Sequence, residues 1–568
     1  MMISHQKNNA KIAYFTMEIG LENNMPSYSG GLGILAGDVI KSAADMGIPM
    51  VCITMLHDKG YFYQRFAEDG TQVELPFEWR KENFLTQLKE QVTIKLEDRI
   101  VKIGAWKYDV KGIQGHIIPV IFLDTDIESN SEYDRDLSTF LYGGDMKYRL
   151  SQEAVLGIGG VRMLKKLNFN KLTKYHMNEG HSSLLVAELL ATEKGTPEEK
   201  RNAVKKKCVF TTHTPIAAGH DVFPEQLVRT VLTDLPQEIN DHIRFHKQLN
   251  TTILALDYSN FANGVSKKHG EISRAMFPNY DIRSITNGVH SQTWVCKEMA
   301  ELFDSRIPGW RNDPFIFRSA IAIPRQEIWD AHMRAKKSLL DKVRAETGDV
   351  LDPEVFTLGY ARRATGYKRM DLLFYDIEWL KAISERDGKI QIIYAGKAHP
   401  RDIQGKELIK KIFSLKDKLG ENITLVYLAN YDMELALKMV SGCDVWLNTP
   451  LRPLEASGTS GMKAAHNGVP SLSVLDGWWI EGCIEGVTGW AIGPKHITGD
   501  HKEGTLENIN QTDAKDLYTK LGNIIVPKYY NDYTAWTNIM RNTITINASF
   551  FNTHRMVSEY VVSAYYKE

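Results

Sequence analysis

Paired cysteines are missing from this chain. Cys52, Cys208, Cys296, Cys443 and Cys483 are odd in number and scattered over 568 residues, with no CxxC or CxxH spacing. That excludes a disulfide framework and the usual zinc modules, and it implies a reducing compartment. No apolar run approaches the length of a membrane span, and Met1-Met-Ile-Ser-His-Gln-Lys-Asn-Asn9 lacks the apolar core of a secretion signal. The expectation is a cytoplasmic protein. An excess of charge is missing too: 69 Lys and Arg stand against 70 Asp and Glu, a formal net charge of −1. Such a balance offers no electrostatic grip on nucleic acid or an anionic membrane, and suits a neutral saccharide or a small metabolite better. There is no low-complexity linker and no internal repeat beyond a recurrent βα pattern.

What is present is an ordinary globular composition, 43% hydrophobic and 24% charged, long enough for two or three domains. Lys11–Ile19 reads as a buried strand, followed by the turn Tyr28-Ser-Gly-Gly-Leu-Gly-Ile-Leu-Ala-Gly-Asp38, a helix through Ala44 and a strand over Met50–Leu56. The turn is not the dinucleotide fingerprint, because Gly31, Gly33 and Gly37 give GxGxxxG. Alternating apolar and polar residues from about 91 to 124 predict antiparallel strands inserted into this first domain, and 145–167 has helical spacing. In the second half a long amphipathic helix over Arg325–Glu346 precedes short β-rich runs at Val355–Ala361, Lys389–Ala395, Ile423–Leu428, Asp444–Leu447 and Pro470–Val474. Alternation with helical lengths predicts a parallel, doubly wound sheet.

The stretch with the most chemistry is Glu455-Ala-Ser-Gly-Thr-Ser-Gly-Met-Lys463-Ala-Ala-His-Asn-Gly468. It reads strand, glycine-bearing loop, short helix, with Ser457, Gly458 and Thr459 as N-cap candidates and Asn467-Gly468 as the stop. A helix opening this way aims free N–H groups at an anion, with Lys463 about one turn inside. A Walker loop would need Gly-Lys-Ser/Thr and is excluded. Arg362-Arg-Ala-Thr-Gly-Tyr-Lys-Arg369 places four cations at a strand's carboxyl end, where guanidinium forks suit phosphate. Asn178-Glu179-Gly-His181 also stands where a strand meets a helix, and is either a ligand site or a cap with a dipole-matching acid. His213 ends the apolar run Cys208–Thr212, and Asn287-Gly288 reads as a tight turn with Trp294 seven residues on.

These segments together resemble the α-glucan (glycogen, starch, maltodextrin) phosphorylases, and most closely their short bacterial and archaeal members. Glu-Ala-Ser-Gly-Thr-x-x-Met-Lys is similar to the family segment whose lysine carries pyridoxal 5'-phosphate covalently. The resemblance spans residues from about 28 to 480. It implies an α/β chain of the GT-B glycosyltransferase fold: two doubly wound Rossmann-like domains facing a cleft, residues 1–300 on the glucan side and 301–568 carrying the cofactor lysine. The implied reaction is phosphorolysis of a terminal α-1,4-linked glucose by inorganic phosphate, giving glucose 1-phosphate with retention.

By the same resemblance Arg363, Lys368 and His213 are catalytic. Lys463, Arg362, Gly458, Thr459, Ser460, Trp294 and Tyr431 hold the cofactor, and Gly31, Leu32, Asn287, Glu455, Ser457, Asn178, Glu179 and His181 bind substrate. No metal is implied. No carboxylate pair stands out as a glycosidase acid and base. The resemblance supplies the missing acid as the substrate phosphate itself, which protonates the glycosidic oxygen while the cofactor phosphate presses against it. Two departures stand out. Glu179 replaces the family's aspartate, and Asp432 follows Tyr431 where the family has arginine. No counterpart to a regulatory N-terminal extension is visible, so allosteric control is expected to be absent, and a homodimer is expected. The rival reading is a nucleotide-sugar-dependent glucan synthase of the same fold, without pyridoxal phosphate.

Overall fold

A computed structural model describes residues 9–494 and 505–566. The chain forms two compact units. The first takes the residues up to Phe62, Pro76–Thr286 and the residues from Met556 on; the second takes Tyr63–Leu75 and Asn287–Arg555. The crossing therefore falls at Thr286–Asn287 instead of residue 300, and two segments lie in the opposite unit to a cut at mid-chain. Apolar burial explains both. The hairpin of Tyr63–Phe66 and Gln72–Leu75 packs Phe66 on Phe413 and Tyr427, with ring centroids 4.7 and 5.3 Å apart. At the other end Met556, Val557, Tyr560 and Tyr565 are buried in the first unit's core.

In the first unit the strand order is Ile282–Ser284, Phe261–Gly264, Cys208–Thr211, Lys174–Asn178, Ile12–Phe15, Met50–Met55, Ile117–Asp124, Arg99–Lys111 and Thr86–Gln87. All pairings from Ile282–Ser284 to Ile117–Asp124 are parallel. Both faces are covered: Ala13 and Phe15 enter one apolar core, Ile12 and Tyr14 the other. Coverage of both faces is why these strands are apolar throughout. The predicted antiparallel strands are present: Arg99–Lys111 pairs antiparallel with both Val92–Leu96 and Ile117–Asp124, and Ile117–Asp124 joins them to the parallel sheet beside Met50–Met55. The helical stretch Met146–Lys166 carries a π-helical turn at Val155–Gly159.

In the second unit six parallel strands run in the order Ile423–Leu428, Ile390–Ala395, Phe356–Ala361, Val445–Asn448, Ser471–Val474 and Gly489–Ile492. Taken in chain order this is 3-2-1-4-5-6, the doubly wound arrangement. Its strand order reverses between Phe356–Ala361 and Val445–Asn448, and ligands bind outside the carboxyl ends at such a point. The first unit reverses in the same way between Ile12–Phe15 and Lys174–Asn178. Among the described residues no helix is long and apolar enough to cross a membrane.

Candidate functional site

At the switch point of the first unit, the predicted glycine turn is the beginning of a 15-residue helix, Gly31–Asp45, with Gly30 as its N-cap. Its glycines have different causes. A Cβ on Gly33 would lie 2.8 Å from Glu18 Oε2, and one on Gly37 only 1.9 Å from the Gly20 carbonyl oxygen, so both are packing positions. A Cβ on Gly30 or Gly31 would meet nothing within 4 Å, so these two leave open space over the helix start. Glu18 accepts hydrogen bonds from the amides of Ser29 (2.7 Å) and Gly30 (3.3 Å), fixing the approach to that helix.

Across the same switch point Asn178, Glu179 and His213 form one cluster. Asn178 Oδ1 lies 2.7 Å from His213 Nε2, and Asn178 Nδ2 donates to Thr16 at 3.1 Å. Glu179 accepts from the amides of Gly180 (3.0 Å) and His213 (2.7 Å) and from the Thr214 hydroxyl (2.9 Å). Its carboxylate thus clamps two strand ends together and caps the 3-10 turn Gly180–Ser182 through the Gly180 amide. The clamp holds Glu179 at φ 77°, a strained value for a residue with a Cβ. Asn178 caps no helix, since a 3-10 turn over Gly180–Ser182 intervenes before the helix Leu185–Thr192. Burial, with His269, His176 and His181 nearby, pulls the His213 pKa down to about 3, so its ring is neutral. His181 is likewise brought to about 3 by burial and lies 3.4 Å from Asp221.

The second unit gathers the remaining residues. Asn287 begins it, buried, with its carbonyl accepting from Arg555 Nη2 at 3.0 Å. Asn287-Gly288 is no free turn. The backbone of Asn552 passes so close that a Cβ on Gly288 would lie 2.2 Å from it, and Val289 exchanges hydrogen bonds with Phe551 and Thr553. Trp294 is buried, and the Lys463 amine stands 3.6 Å from its ring centroid. Asn467 ties the two segments, donating to the Trp294 carbonyl (2.7 Å) and accepting from the Cys296 amide (2.8 Å).

The lysine helix is short, Ser460–Ala465. Thr459 is its N-cap but makes no side-chain cap, and the Ser460 hydroxyl instead accepts from the Trp446 indole at 3.1 Å. Gly458 sits at φ 84°, which a residue with a side chain adopts only under strain. The Ser457 hydroxyl is buried without a hydrogen-bond partner among the described residues.

At the end of Phe356–Ala361, Arg362 Nη2 donates to Glu455 at 2.7 Å, and Lys368 Nζ donates to the same oxygen at 2.5 Å. Nε and Nη1 of the Arg362 guanidinium are buried and unpartnered among the described residues. Arg363 is exposed. Burial works against ionisation of Glu455, but the charges of Arg362 and Lys368 outweigh it and hold its pKa at about 2. Tyr431 feels the charges of both Arg362 and Asp432, though burial is the main reason its pKa is raised. Asp432 caps the next helix through the Leu435 amide at 2.9 Å, which accounts for an acid at this place.

Sequence reading missed Asp476. Its carboxylate accepts from the amides of Glu455 (2.8 Å) and Gly477 (2.9 Å), and the following turn is pressed on Ser457. The Asp-Gly pair was the available signal. Lys397 stands two residues beyond the strand Ile390–Ala395. Burial brings its pKa down to about 8 against the pull of Asp432.

Two doubly wound units, one with a buried lysine and a basic strand end at its switch point, define a glycosyltransferase of the GT-B fold. Family profiles match at two places: carbohydrate phosphorylase over residues 239–488, and starch synthase catalytic domain over residues 11–280. The chain is 38% identical to the maltodextrin phosphorylase of Thermococcus litoralis, covering 98% of this chain and 70% of that protein. It is 34% identical to the glycogen phosphorylase of Aquifex aeolicus, covering 98% and 86%, and 34% identical to that of Mycobacterium tuberculosis, covering 98% and 70%. The chain belongs to the carbohydrate phosphorylase family.

Proposed function

We propose that this α-glucan phosphorylase transfers the terminal glucosyl unit of an α-1,4-glucan to inorganic phosphate, with pyridoxal 5'-phosphate held on Lys463. The observation that carries the reading is the second unit's switch point. There the motif segments carry a buried amine, a half-satisfied buried guanidinium and an unpartnered buried hydroxyl. These groups fit the cofactor. Lys463 would anchor it against Trp294, Arg362 has two unused donors, Nε and Nη1, for its phosphate, and Ser457 has an unused hydroxyl. Tyr431 and the amides of Gly458, Thr459 and Ser460 complete the shell. When bound, the cofactor supplies a second phosphate group beside the reacting one.

The chain's own residues do the rest. Arg363 and Lys368 hold inorganic phosphate, the first from an exposed position and the second through an amine now paired with Glu455. Preorganised cations of this kind stabilise the charge that develops as the glycosidic bond breaks. Neutral His213, with Nε2 fixed by Asn178, faces the sugar as a hydrogen-bonding group and not as an acid. In the first unit Gly31 and Leu32, with helix-start amides, and Asn178, Glu179 and His181 are assigned to substrate by the family resemblance; in the second unit Asn287, Glu455 and Ser457 are. Excluding water matters, since water would release free glucose. A nucleotide-sugar synthase shares the first unit's profile, but the half that carries Lys463 matches the phosphorylase profile. We further read the enzyme as a cytoplasmic homodimer. Its cysteines, all free, suit a reducing compartment, and the dimer follows from the family resemblance. The test is to incubate the purified protein with maltodextrin and phosphate. Glucose 1-phosphate release and pyridoxal absorbance support the reading; turnover of a nucleotide sugar by a colourless protein overturns it.

A further inference from the structure

The hairpin Tyr63–Leu75 lies far in sequence from the phosphate motifs, yet it belongs to the same unit. Two buried glutamines on it, Gln64 and Gln72, reach two loops at the carboxyl ends of neighbouring strands. Gln64 Nε2 donates to the Gly396 carbonyl at 2.9 Å. Gln72 Nε2 donates to the Ala398 carbonyl at 3.0 Å, and Gln72 Oε1 accepts from the Ala398 amide at 2.9 Å. Both peptide groups flanking Lys397 are therefore gripped by side chains. On the second loop, the Gln64 amide donates to Asn430 Oδ1 at 3.3 Å and Gln64 Oε1 accepts from the Asn430 amide at 3.0 Å, immediately before Tyr431. Gln64 Nε2 also donates to Gln72 Oε1 at 2.8 Å, which links the two grips.

The far side of the Lys397 loop bears on the basic strand end. The Arg362 amide donates to the Ala395 carbonyl at 3.3 Å and the Ala364 amide to the Lys397 carbonyl at 3.0 Å. A Cβ on Gly396, at φ 144°, would lie 2.0 Å from the Arg362 carbonyl oxygen, so nothing separates the two backbones. Gln64 and Gln72 press on one side of this loop and Arg362–Ala364 on the other.

We propose that Gln64 and Gln72 are positioning residues for phosphate, setting the backbone that presents Lys397, Tyr431 and the Arg362–Arg363 pair; this rests on the function proposed above. A hairpin needing only to be anchored has other means. Phe66 packs on Phe413 and Tyr427, Lys406 pairs with Glu74 at 2.7 Å and Lys410 with Asp69 at 2.6 Å, the last in an exposed place. Two fully amide-satisfied glutamines buried at 0% and 4% exposure specify a geometry, because each leaves a costly unpaired peptide group if it moves.

The experiment compares the holoenzyme with Gln64→Met and Gln72→Met, which keep volume and remove the hydrogen bonds, and with Asp69→Ala as a control on the same hairpin. The readouts are separate KM values for phosphate and glucan, binding of inorganic phosphate by calorimetry, and melting temperature. Expected in both glutamine variants is an increase of about tenfold or more in the phosphate KM and Kd, with the glucan KM within about twofold and the control unchanged. Unchanged phosphate constants overturn the proposal. So does a parallel loss of phosphate affinity, glucan affinity and melting temperature, which marks a purely structural hairpin. If the wild-type enzyme releases no glucose 1-phosphate, the functional reading fails by itself, and the calorimetric arm still decides whether the glutamines govern phosphate binding.

Discussion

The Asp476 carboxylate accepts a hydrogen bond from the backbone amide of Glu455 at 2.8 Å, and the two acids are driven in opposite directions. Arg362 and Lys368 overcome burial to keep Glu455 ionised, with a pKa of about 2. Asp476, buried and beside the Glu455 charge, is raised to about 7. Pairs of titratable groups separated in this way are typical of functional sites.

Linkage turns that relationship into a pH prediction. A depressed carboxyl contributes stability that is present above its unfolded pKa and lost as pH falls toward the folded value. For Glu455 the window runs from about 4.5 down to about 2, and the contribution is about 3 kcal/mol by order of magnitude. Asp476 has the opposite sign. Its folded form keeps a proton that the unfolded chain releases, so stability declines as pH rises from about 4 through about 7. Urea unfolding from pH 3 to pH 8 should show both limbs in the wild type. In Glu455→Gln the acid limb flattens and the decline toward neutral pH moves lower, since burial still raises Asp476 but the Glu455 charge no longer adds to it. A variant with both limbs unchanged refutes the coupling.

Gly288→Ala tests whether Asn287-Gly288 is a packed crossing or a turn. A Cβ 2.2 Å from the Asn552 backbone forces one of two bridged segments to move. Overpacking of this kind costs about 1–3 kcal/mol. The variant should melt several degrees lower, whereas Gly309→Ala, where a Cβ meets nothing within 4 Å but φ is 91°, reports the cost of backbone strain alone.

Much of this arrangement was legible because short-range chemistry wrote it. The strand runs, the glycine-bearing helix starts and the basic strand end are local patterns, and each lies where its pattern placed it. What escaped is non-local. Glutamines at 64 and 72 look like polar strand residues until residues 396–398 and 430 come against them. The clamp made by Glu179 escaped because its partners, His213 and Thr214, lie on another strand end. Asp432 stands out in the sequence as a departure from the family's arginine, and the structure adds that it caps the helix that follows through the Leu435 amide.

Lys463→Ala should yield a folded protein without pyridoxal absorbance and without phosphorolysis. The amine is buried over Trp294, so its loss removes a cation–π contact and leaves a cavity, a cost of about 1–3 kcal/mol that a unit with this core tolerates. Circular dichroism checks the fold and the visible spectrum checks the cofactor. Retained colour with full turnover refutes the anchor.

Arg363 and Lys368 are proposed to hold the same phosphate, but their surroundings make their variants behave differently. Arg363 is exposed. Truncating it to alanine should leave stability within about 0.5 kcal/mol, as for other surface changes. Lys368 is buried, and its amine shares the Glu455 carboxylate with Arg362. Truncating it leaves that buried acid with one cation, so Lys368→Ala should lose about 2–4 kcal/mol of stability. The Glu455 pKa should rise with it. In catalysis the two should converge. Each removes a charge-assisted contact that strengthens in the transition state, worth about 2–4 kcal/mol, so kcat/KM for phosphate should fall at least about thirtyfold in both. Steady-state kinetics with phosphate varied, run beside urea unfolding, separates the effects. Equal stability losses would mean Arg363 is structurally engaged, and an unchanged kcat/KM for phosphate in either variant would remove that residue from the phosphate clamp.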